Sequence, residues 1–223
     1  MLKSMIAAGL LAGLGFASAS QAASMTYFLD QSDKMADGVN YLQVTIDDEG
    51  DPGAVNFTVA MLQPLVDIAT GARAGITKFA FNALPGVNIR YRNVDISDFP
   101  RGWAVSPNQQ MGGFGKYDMR LRITSARTPR TDSISFSILG VDLDTIASYV
   151  DLARNSTEGP SFFSARVEGL SLPCAARSST RSNTCKPTDA FFGGAQAVPA
   201  PPAIWLLGTA LGAVAVRRFR KAA

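Results

Sequence analysis

Leu42–Asp47, which reads LQVTID, and residues 55–61, which read VNFTVAM, decide the fold of this chain. In both stretches an apolar side chain alternates with a polar or small one. A period of two places one set of side chains on the buried face of a sheet and leaves the other set in water. The same alternation recurs in three later stretches. Their apolar positions are Met119, Leu121 and Ile123, then Ile134, Phe136 and Ile138, then Phe163, Ala165 and Val167.

Weaker alternation predicts further strands at residues 26–29, 76–81 and 87–92. Turn sequences separate the strands, among them the GDPG of residues 50–53 and the Pro85-Gly86 pair. Many short antiparallel strands with one wet face predict a mainly β fold, an antiparallel β-sandwich of jelly-roll type.

Helix is scarce in this pattern. Residues 144–153 predict one short helix, because four apolar side chains recur there at helical spacing. Residues 62–70 predict a turn of helix after Pro64. The apolar positions of the first segment are Ile146, Tyr149, Val150 and Ala153.

The central part of the 223-residue chain has the length of one domain. We assign residues 24–190 to the exported β-sandwich. Residues 175–200 are rich in Ser, Thr, Arg, Pro and Gly, which is typical of a loop followed by a flexible stalk. Residues 191–202 are therefore predicted to form the stalk and a Pro-rich motif.

The N-terminal stretch predicts export. Lys3 supplies a positive start, residues 5–16 are apolar or glycine, and small residues follow. These three regions are typical of a secretory signal peptide over residues 1–22, cleaved after Ala22 or after Ala19. An uncleaved N-terminal anchor helix is the alternative. No cysteine lies near the cleavage region, which argues against a lipoprotein.

The last 26 residues, VPAPPAIWLLGTALGAVAVRRFRKAA, join a proline cluster, an apolar run over residues 203–216 and a basic end. An uncharged run in lipid must be helical. As a helix, the apolar run is about 21 Å long, whereas the hydrocarbon core of a bilayer is about 30 Å thick. The predicted transmembrane helix over residues 203–223 is therefore a short one. Positive charge favours the cytoplasmic side, which leaves the bulk of the chain outside. A buried core helix is the alternative. The basic stop comprises Arg217, Arg218, Arg220 and Lys221.

This tail resembles the PEP-CTERM sorting signal of bacterial proteins that exosortases process. The sequence departs from the usual motif at Ala200, where glutamate is expected, and is closer to a Val-Pro-x-Pro variant. The resemblance covers about an eighth of the chain. The residues of the sorting motif are Val198, Pro199, Ala200, Pro201, Pro202 and Trp205.

The resemblance implies a location and a set of partners. The chain would be anchored in the inner membrane of a Gram-negative bacterium with its domain outside the cytoplasm. It would then reach the cell surface or the extracellular matrix of a biofilm. The implied partners are signal peptidase, an exosortase-like sorting enzyme and the lipid bilayer, with exopolysaccharide as a further one. The domain also resembles bodies that are joined to such tails, which implies no activity.

Charge argues against nucleic acid as a partner. The whole chain carries a net charge of +3. Without Lys3 and the four basic residues of the tail, 16 Lys and Arg face 18 Asp and Glu. The exported body is mildly acidic, so nucleic-acid binding loses its main electrostatic support.

The two cysteines, Cys174 and Cys185, lie in a polar segment. In an oxidising compartment such a pair predicts one disulfide that closes a local loop. A metal site is the alternative, but the chain has no histidine and no further cysteine. We predict neither a metal nor a cofactor.

Acidic residues suggest two kinds of site. Asp47, Asp48, Glu49 and Asp51 crowd one turn, where they either bind Ca²⁺ or form a solvated acidic turn. Glycoside hydrolysis needs two carboxyl groups that flank one bond. The pair Asp142 and Asp144 and the pair Asp95 and Asp98 can be nominated, although any chain with this many acids offers such pairs.

Aromatic and basic residues between positions 90 and 103 suggest either a sugar-facing surface or core packing. The residues are Tyr91, Phe99 and Trp103 with Arg90, Arg92 and Arg101. No catalytic constellation stands out, so we predict a structural or adhesive surface protein and not an enzyme. The alternatives are a carbohydrate-binding module acting on exopolysaccharide and, less favoured, a polysaccharide-active hydrolase.

Overall fold

The computed structural model of the chain describes residues 24–48, 53–70, 73–172 and 188–198, the last three by their backbone alone. These residues form two antiparallel sheets that pack face to face, consistent with a β-sandwich. The strands are β1 (Ser24–Leu29), β2 (Gln31–Ser32), β3 (Leu42–Asp47), β4 (Ala54–Met61), β5 (Gly75–Phe81), β6 (Val94–Asp95), β7 (Trp103–Gln110), β8 (Lys116–Ile123), β9 (Ser133–Leu139), β10 (Phe163–Leu170), β11 (Thr188–Gly194) and β12 (Gln196–Val198).

Each sheet has six strands within the described ranges. Sheet A has the order β12-β1-β3-β4-β9-β6, and sheet B has the order β2-β11-β10-β5-β8-β7. Three pairs of consecutive strands are neighbours in one sheet, namely β3–β4, β7–β8 and β10–β11. The other connections between consecutive strands in the described part pass from one sheet to the other. The two sheets are therefore built together along the chain.

The predicted alternation is confirmed in the central strands. In β3 and β4 every second side chain is buried, and Val44 pairs with Val59 in register. β8, β9 and β10 follow the predicted apolar positions, except that Ile123 is only half-buried. The weaker strands at residues 26–29 and 76–81 are also confirmed, as parts of β1 and β5.

Aromatic rings fill the space between the sheets. Phe57 of sheet A stacks on Phe136 of the neighbouring strand, with ring centroids 4.8 Å apart. From sheet B, Phe81 approaches Phe57 to 5.2 Å, and Phe79 and Phe163 lie next to it. Burying several large rings supplies much of the hydrophobic stabilisation of a domain of this size.

The strand predicted at residues 87–92 is wrong. This stretch lies in the connection from β5 in sheet B to β6 in sheet A, and its end forms a 3₁₀ turn, Tyr91–Asn93. Its backbone bonds are local: Val87 N–H donates to the carbonyl of Leu84 at 3.1 Å. Alternation alone does not make a strand, because a strand also needs a neighbouring strand with which its backbone pairs.

The helix predicted at residues 144–153 is also wrong in extent, because only a 3₁₀ turn, Ile146–Tyr149, forms. A neighbouring segment takes a carbonyl that a longer helix would use. Leu84 N–H donates to the Ser148 carbonyl at 2.8 Å, and in a helix over residues 144–153 that carbonyl would accept the N–H of Leu152. The helical turn predicted within residues 62–70 is confirmed as α1 (Gln63–Val66).

The predicted stalk at residues 191–202, and the boundary of the domain at residue 190, are wrong for the described part of that stretch. β11 pairs with β10 across seven residue pairs, and β12 continues into sheet A beside β1. Gly193 and Gly194 serve close packing here. A Cβ on Gly194 would lie 2.2 Å from the Phe28 carbonyl oxygen, so a side chain would separate the two sheets.

Alternation also failed to predict β2, β6 and β7, and β2 has only two residues. β6 is only two residues long. β7 is an edge strand whose polar side chains face solvent, and it contains Pro107. Proline is tolerated at a sheet edge because no ladder partner needs its missing N–H.

The predicted signal peptide (1–22) and the C-terminal helix (203–223) lie outside the described residues. Within those residues, none of the helices combines the length and the apolar character that crossing a bilayer requires.

Replacing Phe192 tests whether β11 belongs to the core. Phe192 is buried on the inner face of sheet B, whereas Phe191 points to the outer face and is half-buried. We expect Phe192→Ala to lower the free energy of unfolding by about 3–5 kcal/mol, since it leaves a cavity between the sheets. Urea unfolding measures this change.

Phe191→Ala is the matched control in the same strand. Phe191→Ala should lower the free energy of unfolding by about 1–2 kcal/mol, the magnitude of the cation–π contacts of that ring. Small losses for both variants would contradict the strand and fit a stalk.

Candidate functional site

A polar cleft of about 530 Å³ opens at the end of sheet A where β9 ends. The connection between β5 and β6 forms one wall, and the loop after β9 forms the other. The cleft brings together residues that the sequence nominated separately, since its lining includes Arg90, Arg92, Asp142 and Asp144. The other lining residues are Gly86, Val87, Asn88, Asn93, Gly140, Val141 and Leu143.

Asn93 ties the two walls of the cleft together. Its side-chain oxygen accepts a hydrogen bond from Arg90 N–H at 3.0 Å. Its amide nitrogen donates to the Leu139 carbonyl at 2.8 Å and to the Gly140 carbonyl at 3.2 Å. The mouth of the cleft is therefore held by hydrogen bonds as well as by chain connectivity. Sequence reasoning missed Asn93, because a lone asparagine in a loop gives no periodic signal.

Asp144 is fixed from below the cleft. The hydroxyl of the buried Tyr149 donates to Asp144 Oδ2 at 2.5 Å. Burial, and then the hydrogen bond to Asp144, raise the pKa of Tyr149 far above its usual value, so the phenol stays a donor. Asp144 Oδ1 is buried and has no hydrogen-bond partner among the described residues.

The rim of the cleft is exposed and partly apolar. Leu143 is 99% exposed and has a φ of 57°, a backbone angle that a branched side chain rarely adopts. Tyr91, which is 62% exposed, lies in the turn between the two arginines. Guanidinium donors, carboxylate acceptors and an exposed ring are the groups that a hydroxyl-rich ligand needs.

The other nominated carboxylates lie elsewhere. Asp95 and Asp98 line a shallow pocket of about 260 Å³ on the outer face of sheet A, together with Asp47. Asp95 Oδ1 accepts the backbone N–H of Ser97 at 2.9 Å. Of the acidic turn, Glu49 and Asp51 lie outside the described residues. In the part that is described, no group of three acidic, histidine or cysteine side chains is placed to hold a metal ion.

The aromatic set divides between surface and core. Trp103 is only 8% exposed and meets Phe99 edge-on at 5.0 Å, so core packing is confirmed for these two rings. A sugar-facing platform built on Trp103 is therefore wrong. Tyr91 alone of the three remains available to a ligand.

A second charged region covers the outer face of sheet B, and sequence reasoning did not nominate it. Lys78, Arg120, Arg122 and Arg166 lie there. The sequence did contain a signal for this region, because all four residues are basic and occupy the polar positions of predicted strands. Recognising the cluster also required the strand order, which the sequence did not supply.

The remaining predicted sites fall outside the description. Cys174 and Cys185, the prolines of the sorting motif, Ala200, Trp205 and the basic stop belong to undescribed residues. Val198 is described by its backbone, as the last residue of β12. The disulfide and the sorting motif stay predictions.

Comparison with known proteins yields no match: the chain fits no family model, no curated protein and no solved structure.

Replacing Asp144 tests how the floor of the cleft is held. Asp144→Ala leaves the buried Tyr149 hydroxyl without its acceptor, so we expect a loss of about 1–3 kcal/mol in the free energy of unfolding. Asp142→Ala, at the exposed neighbour two residues away, should change it by less than about 0.5 kcal/mol. Denaturant unfolding of both variants measures the difference, and equal losses would contradict the assigned role of Asp144.

Proposed function

We propose that this chain is an exported bacterial protein that a short C-terminal helix holds in the inner membrane. An exosortase-like enzyme then sorts it to the cell surface or the extracellular matrix. Its role there is structural or adhesive. The observation that carries this proposal is the order of a proline cluster, an apolar run and a basic end in residues 198–223.

The geometry of the sandwich supports this proposal. Thr26 of β1 pairs with Val198 of β12 at one edge of sheet A. The segments that precede β1 and follow β12 therefore leave the domain side by side. Both predicted targeting segments connect to the same end of the sandwich, which allows a helix to hold the domain by that end while the opposite end and both outer faces stay accessible.

The outer face of sheet A also suits a structural role. Its polar side chains bond to one another across the strands: Ser137 donates to Asn56 Oδ1 at 2.6 Å, and Asn56 donates to Asp47 at 3.3 Å. On the same surface, the hydroxyl oxygens of Thr58 and Ser135 are hydrogen-bonded at 3.2 Å. A polar network whose members bond to one another adds rigidity to the surface that carries it, which suits a structural role.

Removing residues 203–223 tests the sorting proposal. The full chain should fractionate with membranes and then at the cell surface, with a mature mass lower than that of the signal-peptidase product. The truncated chain should lose the membrane step, since it lacks the apolar helix. Cell fractionation and intact-mass measurement read out both effects.

Deletion of Ala222 and Ala223 alone is the matched control, because it leaves the apolar run and the basic end in place. It should behave as the full chain does. If the chain without residues 203–223 reaches the same place with the same mature mass, the sorting proposal fails.

The second candidate function is carbohydrate binding. The polar cleft favours it, together with the exposed Tyr91 in the turn between the two arginines that line the cleft. We expect a neutral oligosaccharide to bind there, with Tyr91→Ala weakening the affinity at least about tenfold, the scale of a lost sugar–aromatic contact. Calorimetric titration measures it. Phe191→Ala removes a ring remote from the cleft and should leave the affinity unchanged. Equal affinities of the wild type and Tyr91→Ala would contradict a role of the Tyr91 ring in sugar binding.

The jelly-roll classification of the sandwich also belongs to this proposal. Most connections between consecutive described strands pass from one sheet to the other. That alternation supports a jelly roll, in which two Greek keys wrap around one core.

A further inference from the structure

The outer face of sheet B carries basic side chains in register across neighbouring strands. Arg122 of β8 is opposite Lys78 of β5, and Lys78 is opposite Arg166 of β10. Arg120 lies one step along β8 on the same face, two residues from Arg122. Strands are spaced by about 4.8 Å, so the row crosses roughly 10 Å of the sheet. We refer to Lys78, Arg120, Arg122 and Arg166 as the cationic row.

One end of the cationic row is neutralised by carboxylates. Arg166 forms ion pairs with Asp189 Oδ2 at 2.6 Å and with Glu168 Oε1 at 3.2 Å. Burial alone would raise the pKa of Asp189, but the hydrogen bond and the charge of Arg166, with Lys34, lower it overall. Glu168 also pairs with Arg130 at 2.6 Å. Glu168 and Asp189, the acidic side chains near this end, are therefore already paired with arginines.

The other end of the row has no carboxylate partner in the described part of the chain. The guanidinium groups of Arg120 and Arg122 reach only backbone carbonyls, at 3.4 and 3.5 Å. The Nε atoms of both are buried and lack a hydrogen-bond partner there. The ammonium of Lys78 lies 5.7 Å from the centre of the Phe191 ring. Three basic groups are thus left without an anionic partner among the described residues.

This arrangement works against folding. Like charges placed opposite each other on neighbouring strands destabilise a sheet. Burial, and then the charges of Arg166 and Arg120, lower the pKa of Lys78, with Glu168 acting in the opposite sense. The protonated form of Lys78 is therefore less favourable in the folded protein than in the unfolded chain. A bound anion would relieve the repulsion between these cations and would give the guanidinium groups a charged partner.

We propose that the cationic row binds an acidic polysaccharide, a sugar polymer that bears carboxylate or sulfate groups. Guanidinium forks match carboxylate and sulfate oxygens in pairs, and Lys78 adds a point charge between them. The row lies on the outer face of a sheet, so a polymer can lie along it and place successive anionic groups over successive strands.

Nucleic acid fits this surface less well. Single strands need aromatic side chains on which bases can stack. Phe191, the ring beside the row, already contacts two cations of the row, since the charged groups of Lys78 and Arg166 lie 5.7 and 5.6 Å from its centre. The exported body also carries two more acidic than basic residues, 18 against 16, which weakens long-range attraction of a phosphate backbone.

The proposal rests on the proposed export for the place where such a polymer would be met. Binding itself is measured on the purified full-length chain in a nonionic detergent, so a failure of sorting and a failure of binding are separate results. The probes are polygalacturonate, dextran sulfate, uncharged dextran and an oligodeoxythymidine of matched charge. Biolayer interferometry at several salt concentrations gives the affinities.

We expect binding to polygalacturonate, to dextran sulfate or to both, and none to dextran. The double variant Arg120→Gln/Arg122→Gln should weaken binding at least about tenfold. It should also flatten the salt dependence of the affinity, because a protein with fewer cations displaces fewer counterions from the polymer. Arg127→Gln removes one exposed charge in a loop and should change the affinity less than twofold.

Lys78→Gln keeps the test decisive if the double variant does not fold. It should raise the midpoint of thermal unfolding, since it removes a repelled charge, and weaken polymer binding at least about threefold. A purely structural lysine would not move the two readouts in opposite directions. Three outcomes would overturn the proposal. They are the absence of binding to either acidic polymer, a loss of affinity in Arg127→Gln equal to that in the double variant, and binding of oligodeoxythymidine as tight as that of the polymers.

Discussion

The packing of Phe57 between the two sheets is the contact on which the rest of the structure depends. Its ring stacks on Phe136 within sheet A and meets Phe81 and Phe163 from sheet B. Tyr149, from the 3₁₀ turn after β9, approaches the same ring to 5.8 Å. The tyrosine that completes this core also holds Asp144 at the floor of the cleft, so the packing of the interior determines the position of a candidate binding group.

The passage from β11 to β12 is the second constraint on the sandwich. The chain leaves sheet B at Gly194 and enters sheet A at Gln196, with Gly194 packed against the backbone of Phe28. A close approach of this kind tolerates no side chain, which explains a pair of glycines in a strand. Because β12 then runs beside β1, the two ends of the domain emerge together, and the direction of any tether follows from this pairing.

The two outer faces of the sandwich differ in how their polar groups are satisfied. On sheet A, hydroxyl and amide groups such as those of Ser137 and Asn56 bond to each other. On sheet B, Arg166 has carboxylate partners, whereas Lys78 and Arg122 have none among the described residues. A surface that satisfies itself resists association, and one that leaves cations unpartnered favours contact with an anion. The sandwich therefore has one passive face and one face suited to recognition.

The sequence by itself determined the fold class and the central strands, because a period of two is a local property that burial on one face imposes. It also predicted the targeting segments, because such a prediction depends on composition and order alone. Only the tertiary structure decided that Thr188–Gly194 is a strand, that residues 144–153 stop after one turn, and that Trp103 is buried. The tertiary structure likewise placed Arg90 and Asp142 in one cleft and aligned the cationic row. These outcomes depend on which segments become neighbours, and that choice is made by pairing between residues far apart in the chain.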